Sequence, residues 1–320
     1  MKFMPIRVLI AGFLLICSLC YAGPLPIVDL DRVVAIGRRD TTLGSNFGKW
    51  TGEASGFFYG EFKGKTGEQS AYQLYLVTNR HVIEEHIAAT NGPLLIRLNP
   101  MSGGAVQEYD FPLVLNGIPT WHADPDPTVD LAVVVVNGPL LQQIRIKFDY
   151  FHGDFDALSR AKAKELGLSE GYGVFVLGFP MNLVGTGRDY VIVREGSIAR
   201  IRDLLDSPAT VKSFMIDSLV FPGGSGSPVV LKPESILSQF PGEKPPINSA
   251  YLLGIVRGHI PYTDVAVSAQ TRRPRVTFEE NSGLAEVISA DYIEETIQDM
   301  ERTSAATASP MPTSSAPNKP

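Results

Sequence analysis

Apolar positions along this chain come in short runs broken by turn residues. "YQLYLVTN", "LLIRL", "FPLVLNG", "LAVVVV", "VFVLGF", "YVIVREGSIARI", "SFMIDSLV", "PVVLK", "YLLGIVRG" and "RVTFEE" are mostly four to eight residues long and rich in Val, Ile, Leu, Phe and Tyr. Runs of that length and composition, closely spaced between turn signals, predict β-strands of a sandwich or barrel. Two stretches carry a helical pattern: "DALSRAKAKELG" (156–167) and "SADYIEETIQDMERT" (289–303), the latter with Ser289 placed as an N-cap. The first helix separates a strand block near 55–147 from another near 172–288, so two β subdomains are expected; no internal repeat joins them.

The ends read differently. Lys2 and Arg7 precede the apolar core "VLIAGFLLICSL", which is short for a membrane span, and "CYAG" offers a small-residue cleavage site. Residues 1–22 are therefore expected to be a signal peptide cut after Ala22, with an uncleaved anchor as the alternative; Leu19 before Cys20 argues against a lipid-attachment site. The expected location is the periplasm or the extracellular medium. Residues 303–320, "TSAATASPMPTSSAPNKP", are small, polar and proline-rich, and a disordered tail is expected. Residues 23–42 read as a lead-in to a core over 43–302.

Composition narrows the chemistry. Both cysteines, Cys17 and Cys20, lie in the leader, so after cleavage a disulfide, a thiol nucleophile and a thiolate metal site are all excluded. A net charge of -6 without basic runs is a poor match to nucleic acid, and no later stretch reaches membrane-spanning length. Stability must come from a buried core, which a chain of 320 residues can supply.

One stretch asks for more than a turn. In "VFPGGSGSPVV" (220–230), Ser225 stands among Gly223, Gly224 and Gly226. A serine hydroxyl is activated at neutral pH by a neighbouring base, usually histidine. Of His81, His86, His122, His152 and His259, His81 follows the apolar run in "LYLVTNRHVIEE", at the mouth of a strand block. The base needs an acid to orient it. Asp130 in "PTVDLAVVVV" directly precedes a buried-type run, where a carboxylate must be satisfied; Asp124 and Asp126 in "HADPDPT" compete from a loop, and Asp130 is preferred.

Taken together, "ASGFFYG", "LVTNRHVI", "DLAVV" and "IDSLVFPGGSGSPVV", in the chain order His81, Asp130, Ser225, resemble the chymotrypsin-like serine proteases, and most closely their bacterial HtrA-type (Do-like) branch. "VFVLGFP", "LLGIV" and "SGLAEVISADYI" are weaker echoes, and the likeness spans about 55–298. The resemblance implies an all-β fold of two antiparallel six-stranded barrels: barrel 1 over about 43–150, a helical connector over 151–170, barrel 2 over 171–302, and a closing C-terminal helix. It also implies an endopeptidase acting through an acyl-enzyme on Ser225, with His81 as base and then acid and Asp130 as its orienter. Gly223 and Ser225 would supply oxyanion-hole N–H groups, Gly226 would leave room beside the nucleophile, and Pro228 would lead into the next strand. The strand "GIVRGHI" (254–260) would pair with the substrate backbone and line one wall of the P1 pocket, with Arg257, Gly258 and His259 at the substrate and Leu219 at the pocket floor. Asp217 would be structural.

Two positions depart from the family pattern: Ser227 stands where a glycine is usual, and Gly224 where Asp or Asn is common. Without a side chain at 224 there is no partner for a buried N-terminal ammonium, so no zymogen step beyond leader removal is expected, and the glycine-rich loop must be ordered by other contacts. An α/β-hydrolase would need the order Ser, acid, His and a second flanking glycine. Only the tail follows 302, so no PDZ module is expected. The partner is a protein or peptide substrate; no cofactor and no metal are called for. The alternative from another class is a catalytically silent trypsin-fold binding or regulatory protein.

Overall fold

The computed structural model describes residues 25–41, 48–90, 92–233 and 250–308. The expected leader and most of the expected tail lie outside them. Among the described residues no helix is long and apolar enough to cross a membrane.

The chain is mostly β, in two halves. The first half holds β1 (Val33–Arg39), β2 (Trp50–Thr66), β3 (Gln69–Thr78), β4 (Leu94–Leu98), β5 (Gln107–Phe111), β6 (Val114–Leu115), β7 (Ile118–Pro119), β8 (Trp121–Ala123), β9 (Ala132–Val136) and β10 (Phe151–His152). The second holds β11 (Gly173–Gly178), β12 (Ile192–Arg200), β13 (Ser213–Asp217), β14 (Pro228–Leu231), β15 (Leu252–Val267) and β16 (Pro274–Ser289). Helix α1 (Arg80–Thr90) follows β3, α2 (Gly138–Gln143) follows β9, α3 (Arg160–Glu165) lies in the connector, α4 (Arg202–Asp206) follows β12, and α5 (Asp291–Ala308) follows β16.

The second half is the expected closed barrel of six strands, in the order β11-β12-β13-β16-β15-β14. The first half is an open sheet, in the order β5-β4-β1-β2-β3-β9-β8 with β10 beside β2, rather than a second closed barrel. Closure would need β5 to pair with β8. Instead, β8 is only three residues long, and "FPLVLNG" contributes a separate two-stranded ribbon, β6–β7, turned by Asn116 and Gly117 at φ 53° and 79°.

Four local expectations change. Residues 33–39, within the stretch read as a lead-in, form β1, which is hydrogen-bonded between β2 and β4. The connector helix begins at Arg160, capped by Ser159, because the residues before it are tied elsewhere. Leu158 donates to the carbonyl of Leu252, and the Asp156 carboxylate accepts from His152 and pairs with Arg32. Ser289 ends β16 instead of capping α5; its hydroxyl donates to the Asp291 carboxylate at 2.7 Å. Finally, α5 continues to Ala308, so the first residues of the expected tail are helical.

Each half has its own interior. Val34, Ile36, Phe58, Leu76, Ile83 and Val134 fill the first, and Val176, Ile198, Phe214, Val229 and Val256 fill the second. A third cluster joins Phe57, Tyr59, Val77 and Leu131 to Phe175, Val230, Ile255, Ile288 and Ile293. Alternation along β2, β3 and β9 supplies both faces at once, so the two halves pack through one apolar seam. The candidate residues lie at this seam.

Candidate active site

His81 is the second residue of α1, immediately after β3. The first N–H groups of a helix have no partner inside it, and its dipole favours an anion there. Asp130 fills that role: Oδ1 accepts from the His81 backbone N–H at 3.0 Å, and Oδ2 lies 2.6 Å from His81 Nδ1. The Asp130 carbonyl in turn accepts from the Asn79 side chain at 2.8 Å. Both ends of the pair are thus anchored to adjoining strand ends.

The rival acids are occupied elsewhere. Asp126 caps Thr128 through its backbone N–H and hydroxyl, and Asp124 is buried against Thr296 of α5 at 2.8 Å. Arg257 extends from β15 with Nε 3.8 Å from Asp130 and Nη1 3.1 Å from Glu286.

This setting moves the titrations. Burial opposes the charged form of His81, but the Asp130 hydrogen bond and charge outweigh it, so its pKa lies above the ordinary 6.5, with Arg257 pulling the other way. Burial likewise opposes the Asp130 carboxylate, yet the hydrogen bonds from His81 and the charges of His81 and Arg257 hold its pKa below the usual value.

The loop 221–227 is pinned on every side. The Pro222 carbonyl accepts from Met181 N at 2.6 Å, Phe221 from Gly224 N at 2.8 Å, and Gly224 from Ser227 N at 3.1 Å. In a trans peptide the N–H points opposite to the preceding carbonyl. The N–H groups of Gly223 and Ser225 therefore point away from those contacts, and among the described residues neither donates to a protein acceptor. Gly223 has φ 88° and Gly226 φ 83°, a region that side chains rarely adopt. A Cβ on Gly226 would stand 2.0 Å from the Ser55 carbonyl, so the room beside Ser225 is room for backbone.

Ser55 is the site residue that sequence reasoning missed. It is fully buried. Its N–H donates to the Ser225 carbonyl at 2.9 Å, its hydroxyl donates to the Gly223 carbonyl at 2.8 Å and accepts from Phe179 N at 2.9 Å, and its own carbonyl accepts from Thr78 at 2.9 Å. It clamps the glycine-rich loop to the strand ends that carry His81, which is the ordering contact the loop requires. The lone local cue was a serine between small residues in "ASGFFYG". Ser55→Ala leaves a buried carbonyl and N–H unpaired and is expected to destabilise the fold by about 1–3 kcal/mol, measurable by urea unfolding. An unchanged midpoint would contradict the clamp.

Ser225 itself is partly exposed. Its hydroxyl donates to the Arg257 carbonyl at 3.3 Å, and among the described residues no hydrogen bond joins it to His81. Ser225 meets β15 at Arg257, whose side chain reaches the Asp130 that holds His81. A cavity of about 430 Å³ has His81, Asp130, Arg257, Gly258, His259 and Glu286 in its lining. Neither Ser225 nor Leu219 lines it, and Leu219 is exposed, its carbonyl held by Arg194 at 2.8 Å. Among the described residues no group of three or more His, Cys, Asp or Glu could hold a metal ion.

No protein-family model matches the chain, and no curated protein matches it in sequence. Among solved structures it is similar to Rv3671c from M. tuberculosis H37Rv, in the inactive form of a serine-to-alanine mutant. The identity is 14%, over 90% of this chain and 93% of that one, with a TM-score of 0.39. A likeness at that level says nothing about the site.

Proposed function

We propose that the chain is an exported, trypsin-fold serine endopeptidase. The observation that carries this reading is the two-point contact of Asp130 with His81. It commits Nδ1 to the carboxylate and leaves Nε2 as the nitrogen free to take a proton. Ser225 Oγ attacks the peptide carbonyl while His81 Nε2 accepts its proton, and Asp130 stabilises the imidazolium. The oxyanion is held by the N–H groups of Gly223 and Ser225, each worth about 3–4 kcal/mol of barrier where such donors have been removed. His81 then protonates the leaving amine. A water, deprotonated by His81, attacks the acyl-enzyme and releases the acid, restoring Ser225.

The Ser225 hydroxyl is bonded to Arg257 and not to His81, and Ser225 does not line the cavity that holds His81; both favour the alternative, a silent trypsin-fold binding protein. Turning the hydroxyl about χ1 breaks that long bond, and catalytic hydrogen bonds are often loose without substrate. Incubation with an unfolded protein tests the reading: new peptide termini are expected, at the same rate with and without EDTA. An intact substrate would contradict it.

The pH dependence follows from His81. Only neutral imidazole accepts the serine proton, so the acid limb of kcat/KM is expected to have its midpoint above the ordinary histidine value of 6.5. The same pairing contributes folding stability that is complete below the unfolded value and disappears as pH rises through the folded one. A rate profile flat from pH 5 to 8 would contradict the mechanism.

A further inference from the structure

Strand β15 runs for 16 residues, far beyond what the barrel needs. Up to Ile255 it is buried and flanked on both edges, by β14 and by β16. At Arg257 it meets Ser225. Beyond that point β14 has ended, and among the described residues nothing pairs with this edge from Gly258 to Val267. The other edge stays paired with β16 as far as Pro274. The result is a solvent-exposed two-stranded ribbon of about 30 Å at ordinary strand rise.

An open edge of this length is an invitation to strand addition, which proteins normally blunt. Here it carries apolar side chains. Opposed residues in an antiparallel pair share a face, which places Tyr262, Ala266, Val276 and Phe278 on one side, Tyr262 and Phe278 being 59% and 52% exposed. Val265 stands exposed on the other side. Asp264, Glu279 and Glu280 are interspersed along the ribbon and oppose indiscriminate pairing.

We propose that the open edge of β15 beyond Gly258 extends the substrate groove and takes the residues preceding the scissile bond as an added strand. This rests on the endopeptidase reading of Ser225. The occupant follows from continuity: the edge is the one that meets the nucleophile, and toward Ile255 β14 blocks it, so a chain laid beside Arg257 can continue only toward Val267. Main-chain hydrogen bonds supply affinity, and alternate apolar side chains against Tyr262 and Val265 supply preference. Pro261 has no N–H, the Val265 N–H donates to the Asp264 carboxylate and the Ile260 carbonyl accepts from Ser282, so the ladder is incomplete and an added strand must displace these side chains where they face it. The substrate class is an extended, apolar polypeptide with roughly ten residues ahead of the cut, one for each residue of the open edge.

The test uses the full chain and fluorogenic peptides with four or ten residues before the cleaved bond. In one variant an Asn-Gly turn replaces residues 264–278 and joins Thr263 to Glu279, which face each other in the ribbon. In a second, Tyr262→Ser and Phe278→Ser are combined. Wild type is expected to cleave the longer peptide with kcat/KM about tenfold higher, as one or two net hydrogen bonds would give. The shortened variant is expected to match wild type on the short peptide and to lose the gain. The double variant is expected to keep the length gain but lose the preference for apolar residues at alternate positions. The proposal is overturned by equal rates on both lengths, by a gain that survives shortening, or by an equal loss on short and long peptides in a shortened variant that is still folded. A dimer that dissociates on shortening, without length dependence, would overturn it in favour of a second copy of the chain. If wild type cleaves neither peptide, the endopeptidase reading itself fails.

Discussion

Ser225→Ala is expected to reduce peptide hydrolysis by about 10⁶, the loss that follows when an acyl-transfer nucleophile is removed and only binding and the oxyanion donors remain. The fold should barely register the change. The hydroxyl is partly exposed and, among the described residues, makes a single 3.3 Å hydrogen bond, to Arg257, whereas the contacts that hold the loop run through backbone groups and Ser55. Parallel assays of turnover and thermal unfolding separate the two effects. A folded alanine variant with wild-type turnover would remove Ser225 from the role of nucleophile.

Asp130→Asn is expected to lower turnover by up to about 10⁴. Asparagine can preserve the shape of the contact, but its amide can donate where the carboxylate only accepted. That favours the tautomer with its hydrogen on Nε2, which cannot take the serine proton. The acid limb should also move to lower pH, since the hydrogen bond and charge that raise the His81 pKa come from Asp130. Asp126→Asn serves as the control. The Asp126 carboxylate accepts from Thr128, lies 3.9 Å from Lys212 and does not touch His81, so near-wild-type activity is expected. If Asp126→Asn proved the more damaging, the assignment of the acid would be wrong.

The contact of His81 with Asp130 was legible because each stands in a typed local setting, the first turn of a helix after a strand and the start of a buried strand. Ser225 stands in the glycine-rich turn where it was read, with its hydroxyl on the Arg257 carbonyl and not on His81. Ser55 was not legible. A serine between small residues in a strand does not by itself mark a site, and its role arises only when β2 meets the 221–227 loop, 168 residues from Ser55 at Gly223. The open first sheet was hidden for a similar reason. Strand number can be counted from apolar runs, but closure depends on whether the edge strands β5 and β8 meet, and the short β8 and the β6–β7 ribbon intervene. The ribbon of β15 and β16 escaped because "YTDVAVSAQTRRPRVTFEEN" alternates charges and small residues with apolar ones. Only "YLLGIVRG" and "RVTFEE" read as strands, since an exposed two-stranded ribbon needs no continuous apolar face. The late start of α3 likewise depends on tertiary partners, Arg32 and Leu252, that the local pattern does not contain.

The central claim is that Ser225 is an activated nucleophile, and labelling with a fluorophosphonate, which acylates such serines, tests it most directly. Wild-type protein is expected to label stoichiometrically at Ser225, located by peptide mass mapping, at a rate that rises with the deprotonation of His81. Ser225→Ala should not label, and Asp130→Asn should label far more slowly. A folded wild type that never labels would contradict the account and leave a trypsin-fold binding protein in its place.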